Sequence, residues 1–188
     1  MANLHAVIFN DPIAGPVIDP FARGNDFDRT VFVPAADEKS AAKLASSLEN
    51  DGVQRIEVCG ALGPRTAAAV LEATGNRISV GVCTFGIESI AGAATFDQKI
   101  SGGNQVAVAI LYVSKGANPV ADRVVIERGV VRMIFVPVPH ESAAASEATA
   151  LVDSEKVDLV ELYRGIGQTA TAQVIDAIAD RIPIGSTA

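Results

Sequence analysis

The chain has 188 residues, of which 49% are hydrophobic, and its formal net charge is −7. The acidic balance and the lack of a basic cluster argue against a nucleic-acid partner, and no apolar run reaches the roughly 20 residues that span a membrane. The two cysteines show no disulfide framework and the first apolar segment is too short for a signal peptide, so we expect a cytoplasmic protein with one compact domain or two small ones.

The first half of the chain alternates short apolar segments with amphipathic ones. Strands are predicted over residues 5–9, 30–33, 55–59 and 78–82, and helices over 37–50 and 64–74. Pro34 is expected to end the second strand because proline cannot donate to a sheet ladder. Residues 11–28 hold several prolines. We expect an irregular crossover there or, in a barrel, a lid over the mouth.

Residues 86–103 begin with a glycine and end in Gly102-Gly103, which is typical of a linker. The second half then repeats the pattern of the first. Strands are predicted over 107–113, 133–136, 159–163 and 182–185, with Pro137 ending the second of them, and helices over 141–153 and 169–179.

The two halves are an internal repeat, which bears on the fold more than any single element does. Residues 53–84 align with 157–188 at an offset of 104, and upstream residues align at an offset of 103. The change of offset requires one inserted residue near Glu155 and Lys156, at a predicted helix end. The predicted organisation is a first repeat over 1–85, a linker over 86–103 and a second repeat over 104–188.

Strands that alternate with helices indicate an α/β fold with parallel strands and right-handed crossovers. Two (βα)4 halves supply eight strands, so we expect a small TIM-like (βα)8 barrel, although such barrels typically need about 250 residues. The alternatives are two packed open α/β lobes or ferredoxin-like lobes. No helix is predicted after the last strand, so something else should cover that strand.

Several segments carry a family resemblance. The strand Ile56-Glu-Val-Cys-Gly60, the turn Ala61-Leu-Gly63 and the strand Val80-Gly-Val82 resemble a small bacterial domain family of unknown function with an Ile-Glu-Leu-Cys-Gly-type strand. The loop Ser114-Lys-Gly-Ala-Asn-Pro119 is similar to that family's first loop. The resemblance implies two fused copies of one domain and brings no catalytic residues. The second copy departs from it, with Tyr163-Arg164 in place of Cys-Gly.

Glu57 and Glu161 occupy the same place in the two copies. On a strand they point away from the apolar helix-facing side, towards an interior or cleft. A buried carboxylate is costly unless it is paired, so a repeated one suggests a site for general acid–base chemistry. The alternative is structural, with each glutamate bound to an arginine (Arg55, Arg132 or Arg29) or to backbone N–H groups of a loop.

The turns after these strands, 60–63 and 164–167, each lead into a helix N-terminus, where backbone N–H groups favour an anion. The candidate substrate-binding residues there are Gly60, Gly63, Arg164, Gly165 and Gly167. The same glycines could simply form tight turns.

The remaining candidates come from strand ends. Cys59 and Tyr163 join the two glutamates as catalytic candidates, and Asp11, Lys115 and His140 are further substrate contacts. Buried inert cysteine is the favoured interpretation of Cys59 and Cys83. The histidines and cysteines lack metal-ligand spacing, so neither a metal nor a cofactor is predicted.

These observations predict a lyase or isomerase that acts on a small anionic metabolite at the carboxyl ends of the strands. The alternative is a non-catalytic ligand-binding or assembly protein with structural glutamates. In that case the uncovered edge near the C-terminus would be the interface of a homo-oligomer.

Overall fold

The computed structural model describes residues 3–11, 20–24 and 28–188. The chain divides into two compact units, Met1–Cys83 and Thr84–Ala188, and each unit has its own sheet. In the part of the chain that is described, every helix is too short or too polar to cross a bilayer.

The first unit is an open five-stranded sheet with two helices. Its elements are β1 (Asn3–Asn10), β2 (Phe21–Gly24), β3 (Asp28–Ala35), α1 (Glu38–Asn50), β4 (Arg55–Val58), α2 (Gly63–Ala73) and β5 (Ser79–Val82). The strand order is β2-β3-β1-β4-β5, with all neighbours parallel except the antiparallel edge strand β2.

The second unit has a six-stranded sheet and three helices. Its elements are β6 (Thr84–Phe85), α3 (Ile90–Ser101), β7 (Val106–Val113), β8 (Val124–Arg128), β9 (Val131–Val138), α4 (Ala144–Ala150), β10 (Leu159–Leu162), α5 (Gln168–Ile178) and β11 (Ile184–Ser186). The strand order is β6-β11-β10-β7-β9-β8, in which β6 and β8 are antiparallel to their neighbours. Helix α3 lies within 86–103, where the sequence indicated a linker.

The two sheets confirm the repeat. Strands β8-β9-β7-β10-β11 of the second unit have the same order and directions as β2-β3-β1-β4-β5 of the first. The second unit adds β6, which pairs with β11 through Gly185 and Ser186. Residues 84–85 therefore cover the outer edge of β11.

The expected TIM-like barrel is wrong. A barrel needs all eight parallel strands in one closed ladder, whereas here the parallel strands form two ladders. In each ladder an antiparallel strand, β2 or β8, occupies an edge where another parallel strand would have to join. The parallel ladders also exclude ferredoxin-like lobes. Two open α/β lobes are compatible with the structure.

Pro34 and Pro137 do not end their strands, because β3 and β9 continue beyond them. The antiparallel neighbours β2 and β8 reach only Phe32 and Phe135. Each proline thus lies where the strand has become an edge, and a missing N–H is tolerated there. Strand β2 falls in the segment for which a crossover or lid was predicted. Residues 12–19 and 25–27 of that segment lie outside the described residues.

The helices of each unit cover one face of its own sheet. In the first unit Ala45 of α1 and Val70 of α2 pack in one cluster with Ile56 and Val58 of β4. In the second unit the cluster includes Ala148, Val174, Val160 and Leu162. Because side chains alternate along a strand, Glu57 and Glu161 belong to the opposite face, as predicted.

The inserted residue of the second copy is absorbed at the end of α4. Helix α1 ends at Asn50, and Gly52 follows with a φ of 88°. Helix α4 instead continues into a π turn, Leu151–Glu155, and Lys156 follows with a φ of 54°. A π turn accommodates one extra residue without breaking a helix. Since Lys156 takes the place of Gly52, the extra residue lies in the π turn.

Candidate functional site

The strand order reverses beside the first strand of each unit. Strand β1 lies between β3 and β4, and β7 lies between β9 and β10. In open α/β sheets, ligands bind outside the carboxyl ends of the strands at such a reversal. The relevant edges are therefore those of β1 and β4 in the first unit, and of β7 and β10 in the second.

In the second unit, the end of β10 carries three buried polar side chains in a row of four residues. Glu161 is 6% exposed and Tyr163 is 1% exposed, and the Tyr163 hydroxyl donates a hydrogen bond to Oε2 of Glu161. The two side chains share a face because residues two apart on a strand point the same way. The Tyr163 amide donates to the Leu111 carbonyl at 2.9 Å, which keeps this end of β10 against β7.

Arg164 follows directly and is 9% exposed. Its carbonyl accepts a hydrogen bond from the Val113 amide at 2.9 Å, so its backbone is fixed against the end of β7. Burial lowers the pKa of the Arg164 guanidinium, because the charged form loses hydration. The group stays charged at neutral pH, since even a lowered arginine pKa is far above 7.

Gly165 and Gly167 shape the turn from β10 into α5. Gly165 has a φ of 77°, and a Cβ on it would lie 2.8 Å from Cβ of Val113, so no other residue fits without displacing the strand. The amide of Gly167 donates to Oε2 of Glu141 at 3.1 Å. A carboxylate of the chain itself therefore meets the positive end of α5. Sequence reasoning missed Glu141, although its position at a predicted helix start was a signal.

His140 and Lys115 belong to neighbouring loops of the second unit. Nδ1 of His140 lies 2.8 Å from Oγ of Ser142, an exposed contact beside Glu141. Lys115 is exposed in the turn after β7.

The first unit places different chemistry at the equivalent position. Glu57 is 2% exposed, and its Oε1 lies 3.2 Å from Nε of Arg55 on the same strand. Nη1 of Arg55 also donates to Oγ of Ser79 at 3.3 Å, which fixes the guanidinium between β4 and β5. Glu57 thus has one of the arginine partners that the structural alternative requires.

Backbone hydrogen bonds fix the segments that contain the other candidates of the first unit. Sγ of Cys59 accepts from the Asn10 amide at 3.1 Å, and the Cys59 carbonyl accepts from the amide of Gly63 at 3.2 Å. Gly63 has a φ of 67°, and Gly60 precedes it in the same turn. The buried Asp11 follows β1, and its amide donates to the Ala35 carbonyl.

Two of the depressions on the described surface measure about 580 and 380 Å3, and neither Glu57 nor Glu161 lines them. The first is lined by α1 and α2 residues of the first unit, and the second by residues at the amino edge of the second unit's sheet. Among the residues that the structure describes, no three histidine, cysteine or acidic side chains are grouped so that they could hold a metal ion.

Both copies match a known domain family. Residues 5–98 and 106–188 each match the family of unknown function DUF6506, so the prediction of tandem copies of one domain of unknown function is confirmed. No curated protein matches the chain.

Solved structures give weak similarities. An NtrC family transcriptional regulator from Clostridium acetobutylicum is 14% identical with a TM-score of 0.32, and the match covers 100% of this chain and 88% of that one. A carbohydrate transporter from Acidothermus cellulolyticus 11B in complex with myo-inositol is 16% identical with a TM-score of 0.32, covering 99% and 74%. These similarities carry no functional assignment.

Proposed function

We propose that this chain, which belongs to the family of unknown function DUF6506, is a non-catalytic protein that binds a small anionic ligand at the carboxyl edge of β7 and β10. The observation that carries the proposal is the run of buried polar side chains at the end of β10: Glu161, Tyr163 and Arg164. It stands where the strand order reverses, which is the usual ligand position in open α/β sheets.

Arg164 favours an anion as the ligand. A guanidinium that has lost hydration gains more from a bound carboxylate or phosphate than an exposed one, because charges interact more strongly at low dielectric. Its backbone is held by Val113, so little ordering is required when the ligand binds. Gly165 and Gly167 serve here as turn residues, since the Gly167 amide already donates to Glu141.

Binding is favoured over acid–base catalysis because the glutamates are engaged within their own units. A catalytic base must reach the proton that it removes. Glu57 faces Arg55 with its side chain 3% exposed, and Glu161 accepts the Tyr163 hydroxyl. The lyase or isomerase activity expected from the sequence has no support in this geometry.

The test is a thermal-shift screen of small carboxylates, inorganic phosphate, and neutral sugars as an uncharged arm. We expect an anion to raise the melting temperature of the wild type, and this rise to be lost in Arg164→Gln. The matched control is Arg181→Gln, because Arg181 forms an exposed ion pair with Asp153 at 2.6 Å in the same unit.

Two outcomes oppose the proposal. Equal shifts in wild type and Arg164→Gln would remove Arg164 from binding. Chemical conversion of a stabilising anion, followed by NMR and abolished in Glu161→Gln, would instead restore the enzymatic interpretation.

A further inference from the structure

The amino edge of the second unit's sheet contains a depression that the proposed function does not use. It measures about 380 Å3 and is lined by the starts of β7 and β9, the β8–β9 turn and residues 155, 156 and 158. A cavity of that size accommodates a small metabolite. Charged residues of both signs line the depression. The cations are Arg132 and Lys156, and the anions are Glu127, Glu155 and Asp158.

Arg132 is held in a fixed orientation on one wall. Its Nη2 donates to Oε2 of Glu155 at 2.9 Å, while Nη1 of Arg123 donates to Oε1 of the same carboxylate at 2.8 Å. The two arginines hold the pKa of Glu155 below its ordinary value, Arg132 contributing most. A guanidinium fixed in this way presents its remaining donors with little loss of side-chain entropy on binding.

Two residues of this arrangement, Glu155 and Lys156, lie where the second copy differs from the first by one inserted residue. Glu155 belongs to the π turn that absorbs the inserted residue, and π turns are frequent at functional sites. Lys156 adopts a left-handed conformation where the first copy has Gly52. Such a conformation is unfavourable for a side chain other than glycine or asparagine, and residues held in it cluster at functional sites.

Glu127 supplies an opposite charge directly across from Arg132. The two residues are paired in the β8–β9 register, and Oε1 of Glu127 lies 3.9 Å from Nε of Arg132. That separation exceeds a hydrogen bond, so both groups keep capacity for another partner. The Glu127 side chain is 77% exposed. Asp158, by contrast, is engaged by Lys99 at 2.7 Å and by the Ala107 amide at 3.0 Å.

We propose that this depression binds a small zwitterion of the amino-acid class, whose carboxylate contacts Arg132 and whose ammonium group contacts Glu127. A ligand with both charges replaces the long Glu127–Arg132 contact with two charge-assisted hydrogen bonds. The site is separate from the carboxyl-edge site, because it lies at the amino ends of β7 and β9, whereas the other lies at the carboxyl ends of β7 and β10.

The experiment is a titration of 15N-labelled full-length protein with L-alanine and L-glutamine, followed through the amide signals of Gly129 and Val130 in the β8–β9 turn. Propionate lacks the ammonium group and ethylamine lacks the carboxylate. We expect the amino acids to cause saturable shifts. Each truncated probe should bind more weakly by about tenfold or more, because it lacks one of the two charge-assisted contacts.

Variants locate the binding. Arg132→Gln and Glu127→Gln should each weaken amino-acid binding by about tenfold. Glu127 is exposed, so its substitution leaves the fold intact. The matched controls are Arg181→Gln and, on the exposed side of α5, Asp176→Asn, and both should leave the affinity unchanged.

Three results would overturn the proposal. One is an absence of saturable shifts with both amino acids. Another is propionate binding as tightly as L-alanine, which would indicate a simple anion site. The third is unchanged affinity in Glu127→Gln.

Discussion

Tyr163 and Glu161 form a buried hydrogen bond that water cannot readily replace. Tyr163→Phe would leave a carboxylate oxygen without its donor, and such a loss typically costs about 1–3 kcal/mol. We therefore expect Tyr163→Phe to lower the free energy of unfolding by this amount in urea denaturation. Adding Glu161→Gln should show a coupling energy of roughly 0.5–3 kcal/mol in a double-mutant cycle. Strictly additive effects would contradict a direct interaction.

Strand alternation predicted the faces of these residues but not their partners. The parity of β4 and β10 correctly placed Glu57 and Glu161 opposite the helices. Arg55 was among the arginines considered for the glutamates, and it does contact Glu57. The bond between Glu161 and Tyr163 was not anticipated. Whether a phenol reaches a carboxylate two residues away depends on side-chain rotamers, which no sequence pattern specifies.

At the scale of elements, the end of α4 offers a direct test of backbone strain. Lys156 has a φ of 54°, a conformation that costs an ordinary residue about 1–2 kcal/mol relative to glycine. Lys156→Gly should therefore raise the free energy of unfolding by roughly 1 kcal/mol. The greater flexibility of glycine in the unfolded chain offsets part of this gain.

The matched control for this variant is Gly52→Lys in the first copy, where φ is 88°. It should destabilise the protein in the same urea assay. If Lys156→Gly proves destabilising, the ammonium contact of Lys156 with the Asp153 carbonyl at 2.7 Å matters more than backbone strain does.

The parallel strands and most helices were predictable because their burial leaves a clear period in the sequence. Helix α1 even shows its capping box, in which Asp37 accepts from the Ser40 amide at 2.7 Å. The elements that were missed bury little. Strand β2 is four residues long with no fully buried position, and no residue of α3 is fully buried. An element without a buried face leaves no hydrophobic periodicity in the sequence from which it could be predicted.

At the scale of the whole molecule, the strand count was correct for the parallel strands but did not determine how they associate. Two sets of four parallel strands are equally compatible with one barrel and with two open sheets. The antiparallel pairs β2–β3 and β8–β9 decide the question. Only three residues separate β2 from β3 and two separate β8 from β9, so these pairs are local, but β2 and β8 are too short and too little buried to be recognised as strands in the sequence.

The additional strand β6 gives the two sheets different edges. Strand β11 lies between β10 and β6, whereas the equivalent β5 is an edge strand of the described sheet. We expect amide hydrogen exchange to be faster in β5 than in β11 by about tenfold or more, because edge amides open locally at low cost. Strands β4 and β10 each have a neighbouring strand on both sides, so they serve as the internal comparison. Equal protection of β5 and β11 would show that β6 contributes no stability to its edge.

The π turn at Leu151–Glu155 has an evolutionary consequence. The two copies differ by one residue at this point, and the copy with the additional residue places Glu155 between Arg123 and Arg132. One chain therefore contains both a copy with this inserted residue and a copy without it. Homologues that carry or lack the inserted residue can be sorted by its presence alone, and amino-acid binding should follow that division.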